Sequence, residues 1–374
     1  MNDNELVSPK QRRRKASSSK IYPYYAGFSD EFVISAFKKY GVTNKDFVLD
    51  PWNGAGTTTK VSAENGVRSC GIDINPAMYI VSNANNCVQV SKEYFDEMHF
   101  KLMQNVDACN LFVIDEFDPL LQWFDRNTSI CIRKIERAIS RTFLYEKSAD
   151  FFALNDCDKY ISSVFLVSLF LVLRKHARSL IKSNPTWIKV PNFLARISID
   201  SNSIIRDWVF VIFEQFRSRL IDNLTRDTQV SALVLGNCAT FTAPERKFNF
   251  VLTSPPYATR IDYVRKTAIE LAVIFPVFRI EAGKYDEEFL GTTKVRGHDI
   301  EVGDFLGDYA VNFLNLVRAH PTKSSDGYYV KFFERYIVNY QKSLNNISNI
   351  CASDSLMIFV VQDSFYKNIR FNLM

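Results

Sequence analysis

The sequence of 374 residues holds no C-x-x-C pair and only four histidines: His99, His176, His298 and His320. Its seven cysteines, at 70, 87, 109, 131, 157, 238 and 351, are odd in number and widely scattered. That usage argues against a disulfide framework and a structural zinc site, and it fits a reducing cytoplasm. No metal is expected, and the expected location is cytoplasmic. Long apolar runs are also missing. The longest, "VFLVSLFLVL" at 164–173, is too short and too closely bounded by charge to span a bilayer, so no membrane partner is expected. The opening residues do not read as a signal peptide. No G-K-(S/T) follows a glycine-rich loop, which excludes a Walker A phosphate site. Excess charge is small as well: a net +5 permits a nucleic-acid partner without requiring one.

What is present is ordinary for a globular chain with a substantial core, at 47% hydrophobic residues, with aromatics raised to 14%. The basic run "PKQRRRKASSSK" at 9–20 reads either as a solvated tail or as an arm lying on phosphates. Residues 1–20 are therefore expected to be a flexible basic tail.

The next segment, "IYPYYAGFSDEFVISAFKKYGV", predicts a helix capped by Ser29 and stopped at Gly41. "DFVLD" then reads as a short buried strand, "PWNGAGTTT" as a loop, "KVSAENG" as helix and "VRSCGIDIN" as a second strand. This order opens a parallel, doubly wound α/β sheet. Residues 76 to about 230 are rich in Leu, Phe and Ile, nearly free of glycine, and predict helices. "NPTWIKVPNF" at 184–193 interrupts them as an ordered loop. Strands resume at "SALVLGN" and "FNFVLTS". A helix over "YVRKTAIELAVIFPVF", a long amphipathic helix over 328–348 and a last strand at 355–363 follow. The domain reading is a catalytic unit from 21–80 and 231–374, with 81–230 as a helical insertion.

Two loops carry the chemistry. In "VLDPWNGAGTT" a strand ends in Asp50, and Gly54 and Gly56 allow close backbone approach by a ligand. Asp73 ends the next strand, where an acid accepts hydrogen bonds from ribose hydroxyls in nucleotide-binding folds. The third glycine of the dinucleotide fingerprint is missing, so an adenosine-containing ligand without phosphates fits better. The second loop is "TSPPY", residues 253–257, at the end of an apolar strand. In an open α/β sheet both loops lie beyond the carboxyl ends of the strands and face one another.

These stretches resemble the S-adenosylmethionine-dependent DNA amino-methyltransferases that modify cytosine N4 or adenine N6. "DPWNGAGTT" resembles their glycine-rich cofactor motif, "GIDINP" the acidic motif after it, and "TSPPY" their catalytic (D/N/S)-P-P-(Y/F/W) motif. "KIYPYYAGFSDEFV" resembles the cofactor-side segment before the first strand, and "VVQDSFYKN" a late strand and loop. The resemblance covers the N-terminal third and most of the C-terminal third. It implies a Rossmann-like class I methyltransferase fold, S-adenosyl-L-methionine as cofactor and double-stranded DNA as partner. The implied setting is restriction-modification or defence. Cofactor residues would be Tyr24, Phe28, Asp50, Pro51, Gly54, Ala55, Gly56, Thr57, Asp73, Ile74 and Asn237, the last standing where the family often has an acid.

The implied catalytic residues are Ser254, Pro255, Pro256 and Tyr257. An exocyclic amine is a poor nucleophile while its lone pair is conjugated to the base. Acceptors on both N–H groups, the Ser254 hydroxyl and the Pro255 carbonyl, withdraw it; the prolines pre-aim them, and Tyr257 stacks on a flipped base. Serine before the prolines favours cytosine N4 over adenine N6. Two other readings remain: an RNA base methyltransferase, and a non-catalytic DNA-binding subunit that keeps the fold. The insertion and "KVRGHD" at 294–299 are candidates for target recognition. Arg260 and Asp262 either pair with each other or position the substrate loop. Five strands are assigned (47–50, 69–73, 232–236, 248–253 and 355–362) where such a sheet has seven. The last two are expected to be missing, through a fragment or through a partner that completes the edge.

Overall fold

A computed structural model describes residues 5–10, 22, 27–86, 88, 90–110, 113–144, 150–181, 188–223, 231–243, 247–259, 261–278, 289–292 and 306–372. Tyr24, Arg260, the "KVRGHD" segment and most of the basic run lie outside them.

Helix α1 (Asp30–Tyr40) begins where Ser29 Oγ accepts from the Phe32 N–H, and it ends at Gly41 in the left-handed conformation, φ 66°. Strand β1 (Phe47–Asp50), helix α2 (Thr57–Glu64), strand β2 (Arg68–Asp73) and helix α3 (Pro76–Asn85) follow as expected. The helical block is α4 (Lys92–Asp107), α5 (Arg126–Phe143), α6 (Asp156–His176) and α7 (Ser201–Asn223). Strands β3 (Ala232–Leu235) and β4 (Phe248–Thr253) return the chain to the sheet. Next come α8 (Tyr263–Lys266), α9 (Ala268–Phe278), α10 (Asp308–Ala319), α11 (Val330–Ile350), β5 (Cys351–Phe359) and the short strands β6 (Ser364–Tyr366) and β7 (Ile369–Phe371).

The five long strands form one parallel sheet in the order β3-β2-β1-β4-β5. From β1 the chain winds outward through β2 to β3, then crosses back to β4 on the other side of β1. The switch point therefore lies between β1 and β4, where ligands of open α/β sheets bind. Alternation along β1 builds both faces: Val48 packs with Phe37 and Val61 on the α1–α2 side, and Leu49 with Ile347 and Ile350 of α11 on the other. This is the expected Rossmann-like, doubly wound sheet.

Helix α6 is buried along almost its whole length from Tyr160 to Leu173, so its apolar residues lie all round the helix rather than on one stripe. Its C-terminal end is clamped to the two helices that follow β4. Arg174 pairs with the buried Glu270 of α9 and donates to the Lys266 carbonyl, and Tyr22 donates to Glu270 at 2.7 Å. Arg133 of α5 makes a second tie, bonding Asp118 at 2.7 Å and the Ala272 and Val273 carbonyls at 2.7 Å each.

Three expectations need correction. The helix after TSPPY is two helices, because Thr267 breaks it; its hydroxyl bonds the Tyr263 carbonyl and takes the Asn75 amide at 2.9 Å. Strand β5 starts at Cys351, directly after α11, four residues earlier than expected. Among the described residues the main sheet holds five strands, as expected, but an unexpected antiparallel hairpin of β6 and β7 follows it in a sheet of its own. They escaped notice because each is three residues long. Tyr366 and Phe371 pack them onto α10 and α11, so they do not extend β5.

Candidate active site

The glycine-rich loop is tied to β2 at two points. The Asn53 N–H donates to the Ile72 carbonyl at 2.9 Å, and the Gly54 N–H to Asp73 Oδ2 at 2.7 Å. Gly54 and Gly56 take φ of 51° and 78°, which a side chain would strain. The loop also needs Gly71 on β2, a residue that sequence reasoning missed. A Cβ there would stand 2.4 Å from Asn53 Cγ, so the bare backbone of β2 makes room for the buried Asn53 amide.

Both acids sit at the carboxyl edge of the sheet. Asp73 accepts from the Gly54 and Asn75 N–H groups, one on each oxygen, at 2.7 and 2.8 Å. Burial nevertheless pushes its carboxyl up to about 6, with Asp50 adding to the rise. Asp50 is likewise raised to about 6 by burial, against the Thr253 hydroxyl, which donates to it at 2.6 Å.

A cleft of about 860 Å³, its open side included, lies over this edge. Of the expected cofactor residues, Phe28, Asp50, Pro51, Gly54, Ala55, Thr57, Asp73, Ile74 and Asn237 line it. Gly56 is not on its wall and serves instead as the N-cap of α2. Ser254 and Pro256 of the elbow line the same cleft, while Pro255 and Tyr257 do not. The wall holds two aspartates and, among the described residues, neither lysine nor arginine, which suits a ligand without phosphates. Asn237 Oδ1 accepts the Ala239 N–H at 2.9 Å, which orients the side-chain amide so that it can offer a ligand its N–H₂ and a second lone pair.

The elbow is held from three directions. Ser254 Oγ donates its proton to the Val360 carbonyl at 2.9 Å, just past β5. Its lone pairs are thereby left to accept, and the Tyr257 hydroxyl stands 3.2 Å away. Tyr336 of α11 donates to the Pro256 carbonyl at 2.7 Å, and the Tyr257 N–H donates to the Tyr263 hydroxyl at 3.3 Å. Tyr263 itself lines the cleft, and burial raises its hydroxyl well above the usual phenol range. Asp262 caps α8 by accepting the Arg265 N–H at 3.0 Å and pairs with Arg265 rather than reaching the cleft. Trp52 stacks on Tyr340 and also lines the cleft.

No cluster of His, Cys, Asp or Glu among the described residues can hold a metal ion, and no described helix is long and apolar enough to cross a membrane. The six described cysteines are free thiols.

The chain is 24% identical over 293 residues to the type II methyltransferase M.BsoBI of Geobacillus stearothermophilus. The match covers 73% of this chain and 55% of the relative, so the chain spans about half the length of that protein. No family model matches the sequence, and no solved structure matches it.

Proposed function

We propose that this chain is an S-adenosylmethionine-dependent DNA methyltransferase acting on an exocyclic amine of a flipped base, cytosine N4 before adenine N6. The similarity to a type II methyltransferase supports the class of reaction and a restriction-modification setting. One observation carries the amine chemistry. The Ser254 hydroxyl has its proton committed to Val360, and the adjacent Pro255 carbonyl accepts no hydrogen bond among the described residues. Two acceptors therefore stand on consecutive residues of a rigid backbone, with Ser254 in the cleft wall.

The cleft chemistry fits S-adenosyl-L-methionine. Asp73 keeps lone pairs for ribose hydroxyls, Phe28, Ile74 and Met78 give an apolar bed for a flat ring, and the walls bring no cation against a sulfonium. When bound, that cofactor supplies an electrophilic methyl group on a positively charged sulfur. The chain's own part is orientation. Ser254 Oγ and the Pro255 carbonyl accept the two amine protons, turning the nitrogen lone pair out of conjugation and toward the cleft. The Tyr257 ring forms the stacking wall for the base, and Tyr336 and Tyr263 hold the elbow so that nothing reorganises during transfer. The preference for cytosine N4 rests on the family resemblance, in which serine before the prolines goes with that base.

Incubating the protein with tritiated S-adenosylmethionine and mixed DNA and RNA, followed by nucleoside analysis, tests this reading. Label is expected in N4-methylcytosine. Label in N6-methyladenine changes the base assignment, and label confined to RNA, or none at all, refutes the DNA reading.

A further inference from the structure

Residues 188–197, "IKVPNFLARI", form a rigid loop whose tip is apolar and fully in solvent. Phe193 is 73% and Leu194 96% exposed. Single exposed leucines mean little. Here, however, the tip is built. One end of the loop is pinned by the bridge between Ile181 and Ile188 and by the Lys189 N–H on the Leu180 carbonyl at 3.2 Å. The other end is pinned by the bridge between Phe124 and Ile197, with the Ile197 N–H on the Trp123 carbonyl at 2.8 Å. Between them Pro191 stiffens the chain, a short turn over Phe193–Ala195 closes with Ala195 N–H on the Asn192 carbonyl at 2.9 Å, and the Arg196 guanidinium lies 4.5 Å over the Phe193 ring.

Charge and position name the occupant. Between Asp158 and Asp200 the sequence has no acid but seven lysines and arginines, of which Lys189 and Arg196 flank the tip. An apolar tip flanked by Lys189 and Arg196 is complementary to a polyanion with an apolar interior. The loop also starts close, along the chain, to the tie between α6 and the helices after the elbow. Leu180, on which Lys189 is anchored, is six residues beyond Arg174. That is about 11 Å of helical rise from the clamp on Lys266 and Glu270. That clamp belongs to the two helices that follow the Ser254–Tyr257 elbow.

Resting on the DNA reading above, we propose that this loop is the wedge of the enzyme. Leu194 and Phe193 enter the base stack beside the target, occupying the space a flipped base leaves, while Lys189 and Arg196 sit on the flanking phosphates. Apolar side chains that part base steps use this chemistry, and unstacking is the cost they offset.

The test uses the whole chain with Phe193→Ser and Leu194→Ser combined, both at solvent-exposed positions, and a duplex oligonucleotide carrying the site that wild-type protein methylates. The variant should bind S-adenosylhomocysteine as wild type does but methylate the duplex about tenfold or more slowly at saturating DNA. An abasic site opposite the target base removes the pairing cost, and on that duplex most of the lost rate should return. Lys189→Ala with Arg196→Ala should instead weaken duplex binding and flatten its salt dependence. Unchanged turnover of the wedge variant on the normal duplex overturns the proposal. So does an equal loss on both duplexes, or unchanged methylation with an altered association state, which would mark the tip as a protein contact. Wild-type protein that binds cofactor but methylates no DNA overturns the functional reading and the wedge with it.

Discussion

Gly71→Ala is the sharpest perturbation of the cofactor loop, because one methyl group meets a buried amide on the neighbouring strand's loop. The new Cβ would lie 2.4 Å from Asn53 Cγ and 2.6 Å from both Nδ2 and Oδ1, where ordinary contact starts at 3.4 Å. Asn53 must therefore retreat by about 1 Å. It is buried, its Oδ1 holds the Thr59 hydroxyl at 3.1 Å, and its backbone carbonyl holds the Gly56 N–H at 2.8 Å. Overpacking of this kind costs about 1–3 kcal/mol, and loss of the Thr59 bond adds about 1 kcal/mol. Gly71→Ala should therefore destabilise by about 2–4 kcal/mol in urea unfolding, and calorimetry should show S-adenosylhomocysteine binding weakened with it. The decisive variant is the double one. Asn53→Ala alone forfeits the Thr59 bond, but it also removes the atoms that the methyl group introduced on β2 would strike. In the double mutant the overpacking term vanishes and the Thr59 bond is lost only once, giving a coupling energy of about −2 to −4 kcal/mol. Additive effects, or a Gly71→Ala protein within about 0.5 kcal/mol of wild type, would refute the assigned contact.

Two further outcomes follow from the proposed chemistry. Ser254→Ala removes one amine acceptor and should lower kcat about a hundredfold or more while leaving cofactor affinity within about twofold, since Ser254 faces the substrate amine; equal loss of both would contradict that role. Asp73 accepts ribose hydroxyls best when ionised. With a carboxyl near 6, cofactor affinity measured by calorimetry should be flat above that pH and fall about tenfold per unit below it, and Asp73→Asn should abolish this slope. The same raised value means that protonated Asp73 stabilises the empty fold, a contribution complete below 3.8 and lost as pH rises through about 6.

Local signals were legible in the sequence and long-range partners were not. Strand, glycine turn and acid recur within some 25 residues, so the first two strands, the cleft floor and the elbow could be read from order and residue type. The Ser254 proton, by contrast, goes to Val360, 106 residues away, and the Pro256 carbonyl takes its donor from Tyr336, 80 residues away. Tyr336 showed only as one apolar position on an amphipathic helix. Nothing local marks a tyrosine hydroxyl as the one that reaches an elbow. Gly71 was hidden for the same reason: its need arises from Asn53 across the strand pair. The hairpin was missed because three-residue strands show too little alternation to distinguish from a loop.

The energetic character of the cleft bears on the direction of the proposed reaction. Asp50 and Asp73 end adjacent parallel strands, both are desolvated, and the negative charge of one raises the other. No lysine or arginine among the described residues lines the cleft to offset them. Two carboxylates held out of water without a cation cost the empty site free energy. A ligand that brings hydroxyl donors and a positive charge relieves that cost. The methylated sulfonium carries the charge, and the thioether left after transfer does not. The same pair of acids that favours entry of the charged reactant therefore gives less to the neutral product. In this reading the strain of the empty cleft is spent on telling cofactor from by-product, and the elbow, whose acceptors are neutral, is left to deal only with the amine.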